Sequence, residues 1–308
     1  MMRSMTLWEY ATLNRGDEVR CAKLAHMRVF EVQNFQPHTP KVLMLYRDNS
    51  KTMGVGVRGM NKPAPDGYHA IQHTQPERCP VNALGIYLME RFMIRGESYP
   101  DMLEEPPLDA WRKTPLWASA HGDQLPYSTH LSYDTKAQKA VGVHIRAKTH
   151  SKRKGGAQEA HNQGAGHDDL TLHGGWSQTG KNVLHRAYLD RAKSVARESL
   201  LALGGHLIGD GSVFYLPRAQ IEPPPQLRNL LFPWVNDKLK KDVAHCAATL
   251  RDHPTYCHIY EHPRIRHIFH DPLFDEFALR VRNADRTTVA SFSPAMLRIG
   301  VCVTTARL

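Results

Sequence analysis

What the chain lacks narrows it first. No run of apolar residues approaches the length that a membrane-spanning helix needs. The start, M-M-R-S-M-T-L-W-E-Y-A-T-L, has no long apolar core of a secretory signal. Cysteine is scarce and scattered: Cys21, Cys79, Cys246, Cys257 and Cys302 are odd in number and form no C-x-x-C pair. That pattern argues against a disulfide framework and suits a reducing, intracellular compartment. The His-rich stretch C-H-I-Y-E-H-P-R-I-R-H-I-F-H invites zinc, but its spacing matches no standard ligand pattern, so no metal is expected. No internal repeat and no low-complexity tract is read in the chain. Acids are also in short supply: 30 Asp+Glu face 40 Lys+Arg, a formal charge of +10, with 19 His in reserve. An excess of that sign favours a polyanionic partner, nucleic acid being the commonest, although charge alone is equally compatible with plain solubility.

What is present is an ordinary globular composition, 41% hydrophobic and 23% charged over 308 residues, enough for one large domain or two modest ones. Residues 5–24 carry apolar side chains at helical spacing, with Leu7, Tyr10, Ala11 and Leu13 on one face. Residues 27–33 and 41–46 read as strands, and R-D-N-S-K-T-M-G supplies hairpin chemistry around Lys51. Cys79-Pro80 opens a helix, with Ala83, Leu84, Tyr87, Leu88 and Phe92 as its buried stripe. Residues 95–127 read as a loop anchored by Trp111 and Trp117, and 128–149 as a helix running into the basic stretch H-I-R-A-K-T-H-S-K-R-K. A helix carrying Tyr188 is predicted to continue through Val195 and Leu200 to a stop at Gly204-Gly205. Residues 211–235 form a proline-punctuated crossing, and 236–285 are helical.

One constellation stands out in residues 148–205. His150 and Arg153 lie three positions apart, on one face if helical. Gly174-Gly175-Trp176 and then Tyr188 follow. A guanidinium fork beside an acid/base imidazole, with a phenol near, suits phosphodiester chemistry. H-x-x-R alone is a weak signal, since any basic helix face in water produces it.

Taken in order, R-G-D-E-V-R, S-K-T-M-G, C-P-V-N-A-L-G-I-Y-L, K-T-H-S-K-R, G-G-W, L-H-R-A-Y-L, Y-L-P-R-A-Q-I-E-P-P-P-Q-L and L-F-P-W resemble the tyrosine-recombinase-like proteins of Crypton-type mobile elements. Those proteins are related to the large DNA-binding subunit of the budding-yeast centromere-binding complex. The resemblance covers roughly residues 10–240. It implies a mainly α (α+β) fold: a tyrosine-recombinase-like catalytic domain with a small antiparallel sheet over 1–205, then a proline-rich crossing and helical C-terminal extension over 206–308. By the same resemblance Arg15, Lys51, His150, Arg153, Trp176 and Tyr188 fill the six active-site places. Arg146, Lys148, Lys152, Lys154, Lys181 and Arg186 would contact DNA. The interval from Trp176 to Tyr188 is longer than the family pattern, and His185 stands where a strict count would put the tyrosine. With few residues ahead of Arg15, the family's N-terminal clamp domain is expected to be missing.

The chemistry so implied is strand transfer. Arg15 and Arg153 would hold the non-bridging oxygens of a scissile phosphate. Tyr188 would attack to form a 3′-phosphotyrosine, with Lys51 protonating the leaving 5′ oxygen. The resemblance implies double-stranded DNA as partner, a nuclear location, and no metal or small-molecule cofactor. It leaves open self-association on DNA, and it leaves open the alternative of a non-catalytic, domesticated or truncated DNA-binding protein of the centromere-binding type.

Overall fold

Helix α1, Met2–Thr12, buries Ser4, Met5, Trp8, Glu9, Ala11 and Thr12. The stripe is therefore Met5, Trp8, Glu9 and Thr12 at i, i+3, i+4 and i+7, and Leu7 and Tyr10 are only half-buried. Helix formation stops at Leu13, whose φ of 54° is left-handed. A second short helix α2, Gly16–Arg20, follows, so the helical spacing read over 5–24 is divided between two helices. The structure is a computed structural model that describes residues 1–46, 67–98, 113–145, 148–176, 195–206, 208, 213–231 and 237–291. It is mainly helical with a small antiparallel sheet.

The sheet is built from β1 (Met27–Glu31), β3 (Lys41–Tyr46) and β4 (Gly67–Ala70) in the order β1-β3-β4, all antiparallel. Val29 faces Leu43, and Leu45 faces Tyr68. Strand β3 is central, so Val42, Leu43, Met44 and Leu45 are all buried and the run K-V-L-M-L-Y is apolar without alternation. A separate parallel pair joins β2 (Gln36–Pro37) to β5 (Val213–Phe214).

Cys79 explains the C-P-V-N motif. Its Sγ accepts the backbone N–H of Asn82 at 3.4 Å, as an N-cap side chain does, and Pro80 occupies the first position of α3, Pro80–Met89. The chain then enters a π-helical turn, Glu90–Ile94. Helix α4, Tyr127–Ala140, ends nine residues before the sequence pattern placed its end. Gly142 (φ 69°) takes the left-handed position, with Gly142 N–H on Lys139 and Val143 N–H on Gln138, a Schellman stop. The helices α5, Ser151–Asn162, α6, His167–Gly174, and α7, Arg197–Leu203, end the same way at Gly164, Gly175 and Gly205. Val195 and Ala196 precede α7 as extended chain, so the helix expected to run unbroken into Leu200 begins at Arg197. Tyr188 itself lies outside the described residues, as do Lys51 and Trp111.

The chain divides into two compact units, residues 1–88 with 97–215, and 89–96 with 216–308. In the first, Trp8 and Trp117 meet at 6.2 Å between ring centroids, and the Trp117 indole N–H donates to Ser4 Oγ at 3.1 Å. In the second, α8 (Pro225–Leu230) and α9 (Asp237–Leu250) precede two short turns, α10 (Cys257–Tyr260) and α11 (Arg266–Phe269), and the long α12 (Pro272–Ser291). The buried and exposed positions over 253–261, 262–270 and 271–279 follow one identical order. The expectation of no internal repeat is overturned by this pattern. Each nine-residue unit opens on His253, His262 or Asp271 followed by proline, and buries its fourth, seventh and eighth residues: Tyr256, Ile259 and Tyr260; Ile265, Ile268 and Phe269; Phe274, Phe277 and Ala278. Equivalent positions meet: the Tyr260 and Phe269 rings lie 5.1 Å apart, and His270 Nε2 lies 2.9 Å from Glu261 Oε1.

Candidate nucleic-acid interface

The site is assembled where α1, α5 and α6 meet. Helix α5 approaches α1 closely because Gly156 faces it: a Cβ there would stand 2.3 Å from the Tyr10 carbonyl oxygen and 2.7 Å from Leu13 Cδ2. One turn earlier on the same helix, Arg153 reaches the end of α1. Its Nη1 donates to the Leu13 carbonyl at 2.5 Å and its Nη2 to the Gly174 carbonyl at 2.7 Å. Both acceptors lie at or just past helix C-termini, where carbonyls lack partners and the dipole is negative. Two such ends explain how the guanidinium of an arginine that is only 7% exposed is stabilised there.

G-G-W is explained at the same point. Gly175 (φ 61°) takes the left-handed stop of α6, and Trp176 N–H returns to the Thr171 carbonyl. The indole folds back over Gly174, where a Cβ would come within 2.3 Å of the ring. It lies under Arg153, whose Cζ is 4.6 Å from the ring centroid. His173, which the sequence pattern did not single out, completes the junction by donating from Nε2 to the Ala11 carbonyl at 2.9 Å. Burial is the main cause that holds its imidazole down at about 4, against the Ala11 bond, with the Arg153 charge adding to the depression. It is therefore a neutral donor near pH 7. Its only sequence signal was its place immediately before the glycine pair.

Arg15 follows two residues after Leu13, so the structure brings its backbone to the junction held by Arg153. Its N–H donates to Glu18 Oε2 at 2.7 Å, and its guanidinium lies 3.8 Å from Glu18 Oε1, with about a third of the side chain exposed. His150 occupies the N-cap position of α5 without a side-chain cap bond and is exposed. Lys154 is exposed on the first turn of α5, and Lys148 is half-buried with its Nζ on Thr135 Oγ1 at 3.1 Å. Arg15, His150, Arg153 and Trp176 are thus the described members of the expected set, with Arg153 and Trp176 in direct contact. Lys51, Tyr188, Arg146, Lys181 and Arg186 fall outside the described residues.

Lys152 was expected on phosphate and is turned the other way. Its ammonium lies 2.5 Å from Asp134 Oδ2 and 2.9 Å from Glu9 Oε2, among side chains that are almost fully buried. The reason is helical geometry: on α5 the outward positions are 150 and 154, while 152 and 153 face α4 and α1. His130 sits in the same cluster with Nδ1 on Arg20 Nη1 at 3.2 Å and Nε2 3.3 Å from Glu9 Oε1. Arg20 can only donate, so Nδ1 accepts, while Nε2 also lies 3.4 Å from the Lys152 ammonium. Burial chiefly, with the Lys152 charge, depresses His130 to about 4. Burial raises Glu9 to about 7 against the pull of Lys152. Neither Glu9 oxygen has an aligned hydrogen bond, so proximity of charge rather than bond direction compensates it. The sequence signal for Glu9 was a carboxylate inside an apolar helical stripe.

Among the described residues no three His, Cys, Asp or Glu side chains gather as a metal site, and no helix is long and apolar enough to cross a membrane. In the His-rich stretch, His253 and His262 Nδ1 accept the backbone N–H of Thr255 and Arg264, at 3.2 and 3.3 Å.

Residues 5–262, well over half of the chain, match the model of a family described as the centromere DNA-binding protein complex CBF3 subunit, domain 2. No curated protein matches the chain.

Proposed function

Because the chain belongs to the family of the centromere DNA-binding CBF3 subunit, domain 2, we propose that it is a nuclear protein that binds duplex DNA through its phosphate backbone, without cleaving it. The family match carries this reading. The exposed Lys154 and the partly exposed Arg15 lie around the junction of α1, α5 and α6 beside the exposed His150 imidazole, and the two cations supply charge of the sign such binding needs. Arg146, Lys181 and Arg186 belong to the same proposed contact set. Lys152 and Arg153 act one layer below, as the charges that fix α5 against α1 and α4. The test is a fluorescence-anisotropy titration of the full chain on duplex DNA at several salt concentrations. Affinity should fall steeply as salt rises, because bound phosphates release counterions. Affinity indifferent to salt would refute the reading.

A second reading, a Crypton-type tyrosine recombinase, is favoured by one observation: an arginine of the H-x-x-R pair and the tryptophan of G-G-W stack on each other within reach of the chain bearing Arg15. Under this reading the Tyr188 hydroxyl gives its proton to His150 and attacks the phosphate, the 3′-phosphotyrosine bond forms as the P–O5′ bond breaks, and the 5′ oxygen leaves with a proton from Lys51. Incubation with a nicked suicide duplex decides it. A covalent adduct that disappears in Tyr188→Phe supports cleavage. The absence of any adduct, or one that survives Tyr188→Phe, removes this mechanism.

A further inference from the structure

From Thr135 to Gln158 the chain contains no Asp or Glu, although Lys136, Lys139, Arg146, Lys148, Lys152, Arg153 and Lys154 all fall within it. The interior accounts for Lys152 and Arg153. Lys136 and Lys139 remain exposed on α4 and make no ion pair among the described residues. They stand three apart on one helix face, a like-charge spacing that costs a helix about a few tenths of a kcal/mol. The one acid within a turn of them on α4, Asp134, points inward to Lys152. The last-turn position of Lys139 has a helix-dipole rationale, but Lys136, a turn earlier, has none. On the same outward stripe Ser132 and Ala140 are exposed, and Tyr133 is 47% exposed.

This face is continuous with the start of α5. Lys148 Nζ is bonded to Thr135 Oγ1, and Gln138 Nε2 donates to Ser151 Oγ at 3.4 Å, so the second half of α4 lies beside the first turn of α5. We propose that the outward face of α4, led by Lys136 and Lys139 with Tyr133 beside them, is a second track for DNA phosphates that extends the one at His150 and Lys154. The proposal rests on the reading that the chain binds duplex DNA, and adds which helix carries the larger share of the exposed charge. A tyrosine hydroxyl on such a track donates to phosphate oxygen without reading sequence.

The experiment is the salt titration of the full chain with three proteins: wild type, the double variant Lys136→Gln/Lys139→Gln, and a control, Arg266→Gln/Arg280→Gln, that removes equal charge from the second unit. All four side chains are exposed. A plot of log affinity against log salt should become shallower by about 0.9 for each phosphate no longer neutralised, so by about 1.8 in the α4 variant, and should be unchanged in the control. Wild type without salt-sensitive binding would remove the DNA-binding reading and this inference together. A salt-sensitive wild type whose slope the α4 variant leaves intact would overturn the inference alone. An equal drop in slope in both variants would overturn it too, by showing a general effect of net charge. The same holds if the α4 variant changes only the oligomeric mass measured by light scattering, which would make the face a protein interface.

Discussion

The junction of α1, α5 and α6 and the nine-residue turns of 253–279 bury charge and apolar surface by opposite strategies. At the junction, the bonds that matter join residues far apart in sequence: Arg153 to Leu13, His173 to Ala11, Lys152 to Glu9. In the turns they are local and recur, with the same acceptor position and the same three buried positions in each unit. The first strategy concentrates cost in a few irreplaceable side chains, because removing one partner leaves the other buried and unpaired. The second spreads stability over equivalent, modest contributions, as in stacked repeat proteins. A protein whose surface must present cations can use the first strategy to hold them in place: the inward Lys152 and Arg153 fix the helix that carries the outward Lys154.

The contrast is tested most severely at Arg153. Arg153→Ala removes two charge-assisted bonds to buried carbonyls, each about 1.5–3 kcal/mol, and should cost about 4–5 kcal/mol in denaturant unfolding. Arg153→Lys should recover only a minor part, since an ammonium cannot present the planar fork. A cost below about 1 kcal/mol for Arg153→Ala would mean that the helix ends find water or another donor. Lys152→Met comes next, at about 3–4 kcal/mol, because Glu9 and Asp134 are deprived of their ammonium in a buried site. The same variant should leave the salt slope of DNA binding unchanged if it is measured where the protein stays folded. A shallower slope would put Lys152 back on phosphate.

The repeat can be probed through its equivalent positions. Ile259→Ala and Ile268→Ala remove the seventh residue of adjacent units, both nearly fully buried, and each should cost about 3 kcal/mol. If one is costly and its counterpart is tolerated, the periodic burial is not a periodic energetics.

Much of the local structure was legible in the sequence, for reasons these two regions separate. The starts and stops carried their signals on the spot: Pro80 after Cys79, glycine at 175 and 205, apolar runs in β1 and β3. The strand β4 carried almost none, since G-Y-H-A is short and acquires its identity only by pairing with β3. The inward turn of Lys152 and Arg153 was illegible because their partners come from α1 and α4, and a basic run reads alike whichever residues face inward. The repeat was legible and was missed because its units share few residues: Tyr, Ile and Phe occupy one buried position, and His, His and Asp one turn position. Its period lies in the places taken by proline and by apolar side chains, not in identity. In the candidate site, residue types singled out Arg15, His150, Arg153 and Trp176, but nothing in the pattern showed that the interior would claim Arg153.

Acid should separate the two regions again, because His130, His173 and Glu9, whose titration burial displaces far from its ordinary range, all belong to the first unit. His130 and His173 are depressed to about 4. Between about 6.5 and 4 the unfolded chain therefore binds protons at these two imidazoles that the folded chain refuses, and stability falls as pH drops. Glu9, raised to about 7, works in reverse: the folded chain holds a proton that the unfolded chain has released above about 4.5, so its contribution weakens as pH rises. Two imidazoles stand against one carboxyl, so stability should fall as pH drops from about 6.5 to 4.5. Thermal melts across that range, followed by tryptophan fluorescence, would read it. A first unit that gains stability on acidification would mean that Glu9 dominates.

The smallest effect tests whether the repeat is more than apolar spacing. His253, His262 and Asp271 each stand before a proline, and each side chain accepts the N–H of the residue after that proline, at 3.2, 3.3 and 2.8 Å. At Asp271 this is an N-cap ahead of Pro272 at the first position of α12, with the acid also favourable at the dipole's positive end. The two histidines make the equivalent bond in the turn that leads into α10 and α11, whose own N-cap positions, Tyr256 and Ile265, carry no side-chain cap bond. Asp271→Ala should then cost about 1 kcal/mol and His262→Ala about 0.5 kcal/mol, the neutral acceptor being the weaker. The telling substitution is His262→Asn, which keeps an acceptor suited to bond the N–H two residues on. It should match or exceed wild-type stability in denaturant unfolding. If His262→Asn is destabilised as much as His262→Ala, the turn bond is incidental, and proline with three buried side chains is all that the nine-residue unit requires.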